Sequence, residues 1–179
     1  MKTLLQSLRI LAVLTLLTGV IYPLVVTAVG RVAFHDAATG SVAKQGDTEI
    51  GSKLLAQKIE SAKYFWPRPS AADYATVASG VSNKGPTSAD LAKSIAERRE
   101  KFGKDAPDEL LTASGSGLDP HLSPAAAKYQ APRVAAERKI AVEKVNALID
   151  QFTEGPQLGF LGEPRVNVLA LNRALDELQ

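Results

Sequence analysis

Over the first sixth of the chain, the hydrophobic and polar positions do not alternate. From Ile10 to Gly30 the run ILAVLTLLTGVIYPLVVTAVG places 21 residues in a row without one Asp, Glu, Lys, Arg or His. At ~1.5 Å rise per residue, a helix of that length reaches about 30 Å, the hydrocarbon thickness of a bilayer. Beyond it, polar and apolar positions mix as they do in a water-soluble domain. The pattern predicts a cytoplasmic N-terminus at 1–9, a transmembrane anchor helix at 10–32, and one soluble extracytoplasmic domain at 33–179.

A cleaved signal peptide is the competing reading, with Lys2 and Arg9 as its basic start and Val26-Thr27-Ala28 as a cleavage site. Signal cores run ~7–15 residues, and this run is longer and lacks a polar segment before the cut. An uncleaved anchor fits better. Lys2, Arg9 and the α-amino group precede the helix, and only Arg31 follows closely. The positive-inside bias then leaves the N-terminus in the cytoplasm. Within the span, Thr15, Gly19, Pro23 and Thr27 recur every four residues and form one slowly drifting stripe. Small residues and hydroxyls suit a close helix–helix contact, and Pro23 predicts a kink. The bland alternative is chance composition, because Gly and Pro are common in membrane helices.

The remaining pattern predicts a small α+β domain, with helices packed on a modest sheet. Residues 33–50 are small and polar and read as a connector into a short strand near Ile50–Ile59. Residues 64–86 carry Pro67, Pro69 and Pro86, which forbid long regular elements. Thr87 stands three residues before Asp90 with capping-box spacing. Leu91, Ile95 and Phe102 then share a helix face that Gly103 ends. Asp108–Ala113 reads as a strand. Ser123 before Pro124 predicts a helix start, with an interruption at Pro132 and a break near 139–141. Val142, Val145, Leu148, Ile149 and Phe152 form a clear helical stripe that Gly155 closes. A strand through Val166 and Val168 and a short terminal helix complete the chain.

Charge adds little to this picture. All 19 acidic residues and 18 of the 21 basic ones lie beyond residue 32, a formal charge of −1 for the soluble part. That balance leaves no electrostatic footprint for nucleic acid. With no cysteine, thiolate metal sites and thiol nucleophiles are excluded. The two histidines lie far apart in sequence, and no acidic set has the spacing to hold Mg²⁺.

Three stretches invite chemistry. Ser116, Asp119 and His121 crowd into ASGSGLDPH, but six residues of one loop are a poor frame for a triad with its oxyanion hole. Gly115-Ser116-Gly117 also lacks the spacing of a nucleophile elbow. Gly46-x4-Gly51 is followed by Ser52-Lys53, the wrong order for a phosphate-binding loop. The SGSG run could still form an anion-binding nest, although such pairs are common in plain turns. Tyr64, Phe65, Trp66 and Arg68 are types that dominate protein contacts, and core packing accounts for them equally well.

Four stretches carry a family resemblance. YFWPRPSA (64–71), ASGVSNKGPTS (78–88), LTASGSGLDPHLSPAAAKYQAPRVA (111–135) and LGEPRVNVLALNRAL (161–175) resemble, in order, the C subunit of the bacterial Kdp potassium-transporting ATPase. Val81 stands where a second glycine is expected, Pro67 where a small residue is usual, and Arg173 where an apolar one is common.

The resemblance implies a non-catalytic accessory subunit of a high-affinity potassium pump in the inner membrane. Its partners would be a channel-like potassium-binding subunit and a P-type ATPase subunit phosphorylated on aspartate. ATP, potassium and magnesium would then belong to the complex rather than to this chain. The family's C subunit is held to assist assembly and to raise the ATPase subunit's affinity for ATP, with its soluble domain over the channel-like subunit. On this reading Thr15, Gly19, Pro23 and Thr27 face a partner helix. Tyr64, Trp66, Arg68, Ser116, Asp119 and His121 are the candidates for extramembrane contact. No residue is assigned to catalysis or to a metal. The alternatives are a membrane-anchored periplasmic hydrolase using Ser116 and His121, and a free-standing anchored binding module.

Overall fold

The computed structural model describes residues 1–178 and forms two compact units, divided after Ile50. In the first, one continuous helical rod runs from Lys2 to Ala33 and is long and apolar enough to cross a membrane. It comprises α1 (Lys2–Leu16), a π turn (Leu17–Ile21) and α2 (Tyr22–Ala33). The expected irregularity near Pro23 takes the form of this π turn. Tyr22 N–H reaches back to Leu17 O, a five-residue step. A widened turn relieves the clash of a proline ring with the carbonyl four residues earlier.

The connector has more structure than its composition predicts. A four-residue helix, α3 (His35–Ala38), is followed by a hairpin of β1 (Val42–Gln45) and β2 (Thr48–Ser52). Gly46, at φ 60, supplies the left-handed residue that a two-residue hairpin turn needs. The strand expected over Ile50–Ile59 therefore lies earlier and ends at Ser52.

From Gly51 onward the second unit contains α4 (Ala89–Phe102), α5 (Asp108–Leu111), β3 (His121–Leu122), α6 (Pro124–Arg138), α7 (Val142–Gln151), β4 (Thr153–Glu154), β5 (Arg165–Asn167) and α8 (Val168–Glu177). Its sheet is antiparallel in the order β3-β5-β4, with Val166 opposite both Leu122 and Thr153. Helices α6, α7 and α8 supply most of the core through Ala127, Ala131, Val134, Val145, Ile149 and Leu171, all inaccessible to solvent. The architecture is α+β, as the pattern predicts.

Four local expectations are corrected. The cap of α4 is Ser88, whose Oγ accepts from Leu91 N–H, and not Thr87. The strand expected at Asp108–Ala113 is the helical turn α5. Two carboxylates in its first turn favour a helix start, and the turn buries the adjacent Leu110 and Leu111 together. Neighbours on a strand would point to opposite faces.

Pro132 does not interrupt α6, which runs through it to Arg138. Pro132 is exposed, and so is Lys128, whose carbonyl loses its partner, so water can satisfy that group. The break comes where it was expected, at Lys139, which caps α6 with φ 58. Last, the final strand stops at Asn167, because its Oδ1 accepts from Ala170 N–H and starts α8.

Candidate functional site

The segment Ala62–Trp66 belongs to no helix or strand, yet Phe65 is wholly inaccessible. Burying such backbone requires partners for every N–H and C=O. Side chains provide them. Asn172 on α8 accepts from Phe65 N–H at 2.8 Å and donates to Phe65 O at 3.0 Å. Gln130 on α6 treats Trp66 the same way, at 3.0 Å in each direction. Two amide side chains thus imitate strand neighbours for consecutive residues.

Two arginines of α6 complete the clamp. Arg133 donates to Ala62 O, Tyr64 O and Gln130 Oε1, and its guanidinium stacks 3.7 Å from the Trp66 ring centroid. Burial pushes its pKa down to about 10, with Glu137 opposing the shift, so it remains charged at neutral pH. Arg138 donates to Lys63 O, Leu175 O and Asp176, and lies 4.8 Å from the centre of the Tyr64 ring. Trp66 also meets Phe102 edge-on at 5.5 Å and takes Lys101 Nζ at 4.3 Å. Phe65 therefore belongs to the core. Tyr64 and Trp66 are half-buried.

The other predicted contact residues fall into two groups. Arg68, Asp119 and His121 come together. Arg68 meets Asp119 Oδ2 at 3.3 Å, and His121 Nδ1 lies 3.8 Å from Asp119 Oδ1. Asp119 Oδ1 also accepts from His121 N–H, which fixes the carboxylate at the start of β3. The Arg68 Nε is buried without a partner among the described residues.

Ser116 stands apart from this group. Its exposed hydroxyl accepts from Leu118 N–H in a local turn. Among the described residues no hydrogen bond joins it to His121, so the serine–histidine pairing that a hydrolase needs is not assembled. The next residue, Gly117, sits at φ 71, and a Cβ there would meet Gly80 O at 3.0 Å. The two long glycine-serine loops read from the sequence meet at that glycine.

In the helical rod, none of Thr15, Gly19, Pro23 and Thr27 is buried, and the space beside Gly19 is open. On a straight helix, residues four apart drift steadily round the axis. The widened turn at 17–21 takes up part of that drift, which holds the stripe closer to one face.

Sequence reasoning missed Gln130, Arg133, Arg138, Asn172 and Asp176. A signal was present for one of them: Asn172 is a lone amide in the stripe Val168, Leu171, Ala174 and Leu175, all buried. Such a residue needs a specific partner.

These features define a class: an α+β domain that follows one membrane-length helix, with rigid aromatic and charged surface groups. The family model for KdpC, described as K+-transporting ATPase, c chain, matches residues 4–177. A protein of Paraburkholderia phytofirmans named potassium-transporting ATPase KdpC subunit is 49% identical over 190 residues, covering 100% of this chain and 99% of its own. One of the same name from Rhodospirillum rubrum is 50% identical over 187 residues, covering 99% and 96%. Another, from Methylococcus capsulatus, is 48% identical over 183 residues, covering 97% and 96%. The chain belongs to the KdpC family, the C chains of potassium-transporting ATPases.

Proposed function

We propose that this chain is a non-catalytic accessory subunit of a high-affinity, ATP-driven potassium uptake pump. It spans the inner membrane once, N-terminus in the cytoplasm, and holds its domain on the periplasmic side. The observation that carries this reading is the match to C subunits along practically the whole length of the chain. The unburied helical rod supports it, because Thr15, Gly19, Pro23 and Thr27 offer small side chains, with open space beside Gly19, to a partner helix of the channel-like or P-type subunit. Tyr64, Trp66 and Arg68, with Ser116, Asp119 and His121, provide the extramembrane contacts.

The chain raises the ATP affinity of its partner by coupling through the assembly, since a periplasmic domain cannot touch cytoplasmic nucleotide. Differential packing on two states of the pump is sufficient for that. Tagged full-length protein, purified in mild detergent from potassium-starved cells, should co-elute with a P-type ATPase and a channel-like subunit. The eluate should show potassium-stimulated ATPase with a lower half-saturating ATP concentration than the complex stripped of this chain. Gly19→Leu, which fills the open space beside residue 19, should reduce co-elution. Recovery of the chain alone would overturn the subunit reading. Crosslinks from residues 111–130 to the nucleotide domain would overturn the indirect route.

A further inference from the structure

A cavity of about 420 Å³ lies outside the surfaces described so far. Its walls come from Ser70 and Ala71, from Val81, Ser82 and Lys84 of the SGVSNK stretch, and from one face of α4. Leu91, Ser94 and Arg98 line that face at helical spacing. The volume is within the range of small-molecule sites.

What sets the cavity apart is the sign of its polar groups. Lys84 Nζ approaches only Asp90 O and Ser94 Oγ, both neutral oxygens and both at 3.4 Å. Arg98 donates one guanidinium nitrogen to Leu111 O at 2.8 Å and leaves the others unspent. Among the described residues neither cation forms an ion pair, and no carboxylate lines the cavity. Glu97, beside Arg98 on the helix, is exposed and outside the lining. Ser70 Oγ already accepts from Ala72 N–H and Tyr74 N–H, so its proton remains to be given. Ser82 Oγ, which lies 3.5 Å from Lys84 N–H, likewise has a proton to donate.

A concave site that offers two positive charges without an ion-pair partner, Glu97 acting on Arg98 only from outside the lining, and free hydroxyl protons wants a ligand that is all acceptor and negative. We propose that this cavity binds a small free oxyanion, with doubly charged phosphate the simplest match to Lys84 and Arg98. No aromatic ring lines the cavity on which a nucleotide base could stack. The proposal stands apart from the subunit reading, which makes no use of these residues.

The test uses the full chain in mild detergent. Its thermal unfolding is followed while inorganic phosphate is titrated against potassium chloride of matched ionic strength. Phosphate should raise the midpoint in a saturable way that chloride does not, because a ligand of the folded state stabilises it by mass action. Sulfate should act in the same manner.

Lys84 is exposed, so Lys84→Gln should fold normally by circular dichroism, yet bind phosphate about tenfold more weakly for the loss of one charge-assisted contact. Ser82→Ala should weaken binding about threefold. A chloride control that matches the phosphate response would overturn the proposal. So would undiminished binding by Lys84→Gln. ATP held far more tightly than phosphate would overturn the assignment to a small oxyanion.

Discussion

Residues 61–69 and residues 76–88 are both proline-containing stretches without helix or strand, and they are held in opposite ways. In the first, Asn172, Gln130, Arg133 and Arg138 reach from helices and satisfy the backbone of five consecutive residues. In the second, the backbone hydrogen bonds are local, and the Lys84 side chain reaches the next helix. Ser88 N–H bonds Gly85 O, Ser82 Oγ faces Lys84 N–H at the limit of a bond, and Val77 is fully exposed. Irregular backbone can therefore be as fixed as a strand, provided that amides and guanidinium groups arrive from elsewhere to meet it. Rigidity here is a property of the helices that face the loop.

The sharpest way to break the contrast is to remove its anchor. Phe65→Ala should cost about 3–5 kcal/mol in denaturant unfolding of the full chain, the usual range for truncating a buried phenylalanine. A cost below about 1 kcal/mol would mean that the first stretch is no better held than the second.

Asn172→Ala comes next. It leaves the buried N–H and C=O of Phe65 without partners and should cost about 2–6 kcal/mol, at roughly 1–3 kcal/mol for each unsatisfied group. Asn172→Leu, which keeps the branched shape and leaves no cavity, should be no better, because the orphaned backbone carries the loss. If leucine restored stability, the clamp would be dispensable.

Tyr74 lies between the two stretches and is smaller in effect. Its hydroxyl donates to Arg68 O, and burial, with Asp73 assisting, raises its pKa above the usual 10 against the pull of Arg98 and Lys58. A raised folded-state pKa means that the neutral form is favoured in the fold. That contribution is fully present below pH ~10 and is lost as pH rises through the folded value. Tyr74→Phe should cost about 0.5–1.5 kcal/mol at pH 8, the net worth of one hydrogen bond. The gap between wild type and variant should narrow above pH 10. A gap that stayed constant would show that the hydroxyl does not titrate with folding.

Much of this architecture was legible in the sequence, and each failure has a physical cause. The membrane-length helix needed only a count of uncharged residues, and α7 needed only its period. Ser123 and Lys139 bounded α6 as expected, because caps are local chemistry. Pro132 misled because propensity is a weak prior, and six buried residues of α6 hold the helix through it. Asp108–Leu111 misled because two adjacent leucines fit a buried strand or a buried turn equally well, and the carboxylates before them decide.

Of the site, Arg68, Asp119 and His121 do meet: Asp119 and His121 are two residues apart, and Arg68 reaches them from the clamped stretch. The clamp was not legible. Gln130 and Asn172 lie more than sixty residues from what they hold, and no local pattern announces such a pair. The cavity was hidden for a similar reason, because its cations and serines come from three separate stretches.

The smallest expected effect bears most directly on the opening contrast. Val77 is fully exposed and sits in the locally bonded stretch, so Val77→Ser removes no buried area. It should change unfolding free energy by no more than about 0.5 kcal/mol, the span of ordinary surface substitutions. The same measurement in the assembled complex sharpens the point. An exposed valine on a loop with few tertiary bonds is free to be covered by a partner, whereas the clamped stretch has its backbone paired within the chain and offers only the accessible parts of Tyr64, Trp66 and Arg68. If Val77→Ser left the isolated chain untouched yet weakened co-elution with the pump, the looser loop would be a docking element. It would then dock beside the contacts that Tyr64, Trp66 and Arg68 make from the tight one. If the substitution destabilised the isolated chain, residues 76–88 would be held by more than their own turns, and the contrast between the two stretches would fail.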